Sequence, residues 1–256
     1  MTYSTFDLTG KTVLVTGGNG GIGLGMAEEI AKSGAAVCIW GQNEQKNETA
    51  AEKLKSYGGR VLALKCDISD EKQVAENFAR TIETLGKVDA CFANAGVGSM
   101  GTAFHKMDIT EWRRIFSINM EGVFFTFRAA VRHMMEKGDG GSLVVTGSMA
   151  AKYGMPSGEH YAATKAGVIA LVRGLAVEYA RYGIRANAIL PGWIETDMTG
   201  SLFAMEKFAQ NVIPRIPQRR WGTPADFGPI AVYFASGASA YHTGDAVLID
   251  GGYGCF

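Results

Sequence analysis

The sequence carries no excess of charge: 25 lysines and arginines balance 25 aspartates and glutamates across 256 residues. With no global field to draw nucleic acid or an anionic membrane, neither is expected as a partner. No uninterrupted apolar run approaches the ~18 residues of a membrane span. The N-terminal stretch bears Asp7 and no long apolar core, so a cytoplasmic protein is expected. Cysteine is sparse, and Cys38, Cys66, Cys91 and Cys255 are scattered without metal or redox spacing. Free Cys behaves as a small hydrophobe, so buried thiols are expected. His105, His133, His160 and His242 show no ligand spacing either, and no catalytic metal is expected. Low-complexity linkers and internal repeats are also missing, which predicts one domain over 1–256. Small-molecule chemistry is what these absences leave.

What is present is an alternation of short apolar runs with amphipathic stretches. Strands are predicted over 12–16, 36–40, 60–65, 88–93, 142–146, 185–190 and 246–249. Seven strands separated by helical segments imply an α/β fold with a doubly wound parallel sheet. Helices on both faces account for runs that are almost continuously Val, Ile, Leu and Ala, where a half-exposed strand would alternate. Ligands then gather at the carboxyl ends of the strands.

Two of those ends carry chemistry. After the first strand, Thr16-Gly17-Gly18-Asn19-Gly20-Gly21-Ile22-Gly23 leads into a helical pattern through Met26, Ala27, Ile30 and Ala31. Glycines there permit a tight turn and close approach of backbone to a pyrophosphate, whose charge meets the free N–H groups of a helix N-terminus. After the fifth strand, Ser148 precedes Tyr161 and Lys165, which share one helical face. A tyrosine of ordinary pKa, about 10, is a poor base at neutral pH, and a nearby ammonium favours its phenolate.

This set resembles the short-chain dehydrogenase/reductase family in its single-domain, Rossmann-type form. The likeness rests on Thr16 with the glycine loop through Gly23, Asn94-Ala95-Gly96, Asn119, Ser148, Tyr161 with Lys165, and Pro191-Gly192. It implies an NAD(P)-dependent oxidoreductase that interconverts a secondary alcohol and a ketone, with Asn119, Ser148, Tyr161 and Lys165 as its catalytic set. Ser148 and Tyr161 would hold the substrate oxygen, and Tyr161 would exchange its proton. Lys165 would also hold the nicotinamide ribose, and Asn119 the water that relays protons to Lys165. The implied cofactor contacts begin with Gly17, Asn19, Gly21, Ile22 and Gly23, then Gln42. Asp67 and Ile68 would meet the adenine, although Asp67 also reads as a helix N-cap. Asn94, Ala95 and Gly96 follow, then Tyr161 and Lys165, and finally Pro191, Gly192, Ile194 and Thr196 at the nicotinamide end. A sugar-nucleotide epimerase or dehydratase of related fold, and a non-catalytic dinucleotide-sensing or scaffold protein, are the alternatives.

Cofactor choice is open at Trp40-Gly41-Gln42-Asn43. An acid at this strand end marks NAD and an arginine nearby marks NADP. Gly41 stands in the acid's place and Gln42 where an arginine often follows, which leans slightly toward NADP. Residues 199–220, with Leu202, Phe203, Met205, Phe208, Val212 and Ile213, read either as an apolar substrate lid within about 195–220 or as helices packed on the body. The apolar excess of 115–135 and the small residues of 162–180, including Gly167, Ala170 and Gly174, suggest association of subunits, and the family likeness suggests a homotetramer.

Overall fold

The computed structural model describes residues 4–99 and 101–255. Seven parallel strands form one sheet in the order β3-β2-β1-β4-β5-β6-β7. They are β1 Thr12–Thr16, β2 Ala36–Gly41, β3 Val61–Lys65, β4 Ala90–Ala93, β5 Gly141–Thr146, β6 Ile184–Pro191 and β7 Ala246–Ile249. Every predicted strand is present, with ends shifted by at most two residues. The order reverses between β1 and β4, the switch point at which open α/β sheets leave a crevice.

Burial explains the unbroken apolar runs. Leu14, Cys38 and Trp40 face a core shared with Phe78, Phe127 and Val168. Val13, Val15, Val37 and Ile39 face the opposite core, with Met26, Ile30, Leu54 and Phe234. Adjacent residues of one strand thus enter different cores, and the few polar residues on the strands, such as Ser142 and Asn187, are buried with hydrogen-bond partners. The helices are α1 Gly21–Lys32, α2 Glu44–Lys55, α3 Glu71–Leu85, α4 Ile109–Phe116, α5 Gly122–Lys137, α6 Glu159–Tyr179, α7 Gly200–Phe203, α8 Glu206–Val212 and α9 Gly228–Ala235, of which α1, α2, α3, α5, α6 and α9 supply the two cores.

Three local features depart from the sequence reading. The helical pattern over 115–135 is interrupted by a π-helical turn, Ser117–Glu121, between α4 and α5. Such widened turns are rare and concentrate at functional sites. The N-cap of α3 is Asp70, whose carboxylate accepts from the backbone N–H groups of Lys72 and Gln73, and not Asp67. Cys38, Cys66 and Cys91 are buried as expected, but Cys255 is exposed. Among the described residues no helix is long and apolar enough to cross a membrane.

The 199–220 segment is closed by aromatic packing. The Phe203 and Trp221 rings stack with centroids 4.0 Å apart, and Trp193 meets Phe208 edge-on at 5.2 Å. Phe203 and Phe208 therefore turn toward Trp193 and Trp221, and neither lies on the wall of the crevice described next.

Candidate active site

The crevice at the switch point is a cavity of about 470 Å³. Its floor begins where β1 ends. Gly17 and Gly21 both have left-handed φ, +64° and +50°, a region that L side chains rarely adopt. A Cβ at Gly23 would sit far inside van der Waals contact with the Gly17 carbonyl and the Asn94 amide. Gly20 caps α1 without a side-chain hydrogen bond, which leaves the first N–H groups of the helix to face the cavity. A cradle closed to side chains and lined by free donors suits a pyrophosphate. The residues thus fit a dinucleotide.

Asn94 ties the floor together. Its amide nitrogen donates to the carbonyls of Thr16 (3.1 Å) and Gly17 (3.3 Å), and its amide oxygen accepts from the Thr146 hydroxyl at 3.0 Å. The Thr16 hydroxyl in turn accepts from the backbone N–H groups of Asn94 and Ala95. One side chain thereby joins the ends of β1, β4 and β5, and holds the glycine loop against the catalytic side.

The catalytic wall is built by β5 and α6. Ser148, just past β5, accepts a hydrogen bond from the backbone of Ala150, and Tyr161 and Lys165 project from the first turns of α6. Lys165 is 6% exposed, and its ammonium donates to the Thr146 carbonyl at 2.8 Å. Burial lowers its pKa from 10.5 to about 8, so it is still largely protonated at neutral pH. Its nitrogen lies 5.7 Å from the centre of the Tyr161 ring. Burial raises the Tyr161 pKa, against a smaller downward pull from its hydrogen bond with Ser148. In the chain alone, then, desolvation outweighs the help expected from the lysine. A positive charge brought close to the phenol would reverse that balance.

Asn119 is 1% exposed and lies on the π turn. Its amide oxygen accepts from the Val97 N–H and its amide nitrogen donates to the Val97 carbonyl, both at 2.9 Å. The amide needed its partners because an unpaired one is costly to bury, and it finds them in the loop that follows β4.

Most of the residues singled out from the sequence meet on this cavity. Gly17, Asn19, Gly21 and Ile22 line the floor, while Gln42, Ile68, Asn94, Ala95 and Gly96 line the side beneath β2, β3 and β4. Pro191, Gly192, Ile194 and Thr196 close the far end beside Ser148, Tyr161 and Lys165. Gly23, Asp67 and Asn119 stand behind the wall. One oxygen of the Asp67 carboxylate accepts from both the backbone N–H and the hydroxyl of Ser69.

Four participants had no sequence signal. The Thr146 carbonyl that positions Lys165 is a backbone group, and only its place at the end of β5 could have suggested it. Cys66 is part of the wall, with its thiol pushed up to about 11 by burial, which makes it a poor nucleophile. Lys46 and Asp197 face each other across the mouth, 2.6 Å apart and 151 positions distant in the chain. The space beside Gly41, where an acid would stand, is taken by two amide side chains. A side chain there would collide with the amides of Asn19 and Asn47, which bond each other at 2.7 Å.

Comparison with known proteins agrees with this geometry. The family model described as Enoyl-(Acyl carrier protein) reductase matches residues 17–254. The chain is 36% identical to the 3-oxoacyl-[acyl-carrier-protein] reductase FabG of Chlamydia pneumoniae over 245 residues, covering 96% of this chain and 97% of that one. It is 37% identical to an L-rhamnose 1-dehydrogenase (NAD(P)(+)) of a Sphingomonas species, covering 96% of each. The fold superimposes with a TM-score of 0.93 on a gluconate 5-dehydrogenase of Burkholderia cenocepacia in complex with NADP and tartrate, 31% identical over 98% of both chains. The motifs, the sheet order and these matches agree, and the chain belongs to the short-chain dehydrogenase/reductase family.

Proposed function

We propose that this chain is an NAD(P)-dependent oxidoreductase that interconverts a secondary alcohol and a ketone, with Tyr161 as its acid–base residue. The observation that carries the reading is one cavity with the glycine cradle at one end and Ser148, Tyr161 and Lys165 at the other. Gly17, Gly21 and the N-terminus of α1 would hold the pyrophosphate, and Ile194 and Thr196 the carboxamide end. A bound nicotinamide supplies or takes up the hydride. In reduction, the Ser148 and Tyr161 hydroxyls hydrogen-bond the carbonyl oxygen, and Tyr161 gives it the proton. The Lys165 ammonium stabilises the phenolate left behind, while its bond to Thr146 keeps it in place. Asn119 braces Val97 beside this group and marks where a water would pass protons onward from Lys165. In oxidation the proton returns along the same route.

The related proteins named above are a 3-oxoacyl-[acyl-carrier-protein] reductase, an L-rhamnose 1-dehydrogenase and a gluconate 5-dehydrogenase, so an alcohol or ketone from that range is the substrate class proposed here. NADP is favoured over NAD because Gly41 and Gln42 present no carboxylate to a 2′-phosphate. One domain over 1–256, with 195–220 as its lid, would act as a homotetramer in the cytoplasm. The exposed Val177, the half-buried Phe125 and the open space beside Gly174 support subunit contact along α5 and α6.

The test is a panel of sugars, sugar acids, oxoacyl thioesters and cyclic ketones, followed by nicotinamide absorbance with both cofactors. Tyr161→Phe keeps the ring and should lower turnover by about 10⁴ or more, with the fold and most cofactor contacts kept. A near wild-type rate in that variant would remove Tyr161 from the mechanism.

A further inference from the structure

Among the described residues that line the cavity, the charged side chains are Lys46, Lys165 and Asp197. Lys165 belongs to the catalytic end. Lys46 rises from the first turn of α2, and Gln42 and Asn43 of the preceding turn line the same wall. Neutral amides from Asn19, Gln42, Asn43 and Asn47 fill the surroundings, and the nearest carboxylate on α2, Glu44, is paired with Lys65 at 3.1 Å. At the corner where β2 ends, Glu44 and Lys65 thus neutralise each other, and Lys46 is the cation that lines the cavity there. What balances that cation is Asp197, from the opposite lip. The pair is exposed, with 55% of the Lys46 side chain and 88% of the Asp197 side chain open to solvent. An exposed pair of this kind holds weakly and exchanges readily for a stronger anion.

Resting on the cofactor reading above, we propose that Lys46 is the residue that recognises the adenosine 2′-phosphate of NADP, in place of the arginine missing at 42, and that Asp197 competes for it. A phosphate with nearly two charges and three acceptor oxygens displaces a single carboxylate at the ammonium. Selectivity for NADP then depends on both lips of the crevice. Asp197 lowers it by occupying the cation, and Lys46 supplies it.

Adenosine 2′,5′-bisphosphate and 5′-AMP, titrated calorimetrically against the full chain, isolate the phosphate from the rest of the cofactor. The wild type should bind the bisphosphate more tightly, and Lys46→Met should cut that advantage about tenfold, as expected for loss of a charge-assisted contact. Asp197→Asn should widen the advantage and leave 5′-AMP affinity unchanged. An advantage that persists in Lys46→Met, or that Asp197→Asn leaves the same or narrows, would overturn the proposal. If the wild type bound neither nucleotide nor NADPH nor NADH, the cofactor reading would itself fall, which is a different result. Both side chains are exposed, so neither variant threatens folding, which circular dichroism would check.

Discussion

Replacing Lys165 by Met should make the cofactor-free protein more stable while it destroys activity. The lysine is 6% exposed, and its environment lowers its pKa from 10.5 to about 8 purely by desolvation. A displacement of that size corresponds to about 3 kcal/mol of destabilisation in the charged form. Below pH 8 the folded and unfolded chains both carry the ammonium, and the folded state bears the full penalty. Between about 8 and 10.5 the folded state releases its proton while the unfolded state keeps it, so stability rises with pH through this window. Above 10.5 the penalty is gone. Met fills a similar volume without charge, but it gives up the 2.8 Å bond to the Thr146 carbonyl, a loss of about 2 kcal/mol for a charged donor. The net gain at pH 7 is about 1 kcal/mol, measured by urea unfolding at fixed protein concentration. The sharper signature is in the slope: the variant should lack the rise that the wild type shows between pH 8 and 10.5. A variant less stable than wild type at pH 7, or one that keeps the same slope, would refute the claim that burial of this ammonium is costly.

Gly23→Ala should abolish dinucleotide binding and destabilise the chain, because the new methyl group meets the Gly17 carbonyl and the Asn94 amide together. Thermal melting and NADPH fluorescence titration check both effects, and a variant that binds normally would exclude the cradle as the pyrophosphate site. Gln42→Arg should raise affinity for NADPH over NADH by about tenfold, through a charge-assisted contact added next to Lys46. Equal affinities in wild type and variant would place the 2′-phosphate elsewhere.

The sheet was legible because each strand is buried on two faces, and a continuous apolar run bounded by glycine or polar residues has few other readings. Tyr161 and Lys165 were legible because four residues is one turn of α6. The π turn at Ser117–Glu121 was not, since Ile115, Ile118 and Val123 keep an apolar period through it and nothing local marks the extra residue. Asp67 and Asp70 both suit a cap by composition, and only the carboxylate geometry separates them. The state of Tyr161 depends on burial by surrounding elements, which spacing does not report. Lys46 and Asp197 meet through the tertiary fold alone.

The ring cluster over 193–221 gives the protein its own optical gauge. Of the four tryptophans, Trp193 and Trp221 lie in that cluster, whereas Trp40 is fully buried under the sheet and Trp112 stacks on Phe116 at 4.8 Å. Two of the four indoles thus sit where Phe203 and Phe208 hold the short helices α7 and α8 against the body. Any rearrangement that separates Phe203 from Trp221 exposes an indole to water and shifts its emission to longer wavelength, so movement over the crevice can be timed in a stopped-flow instrument with no label attached.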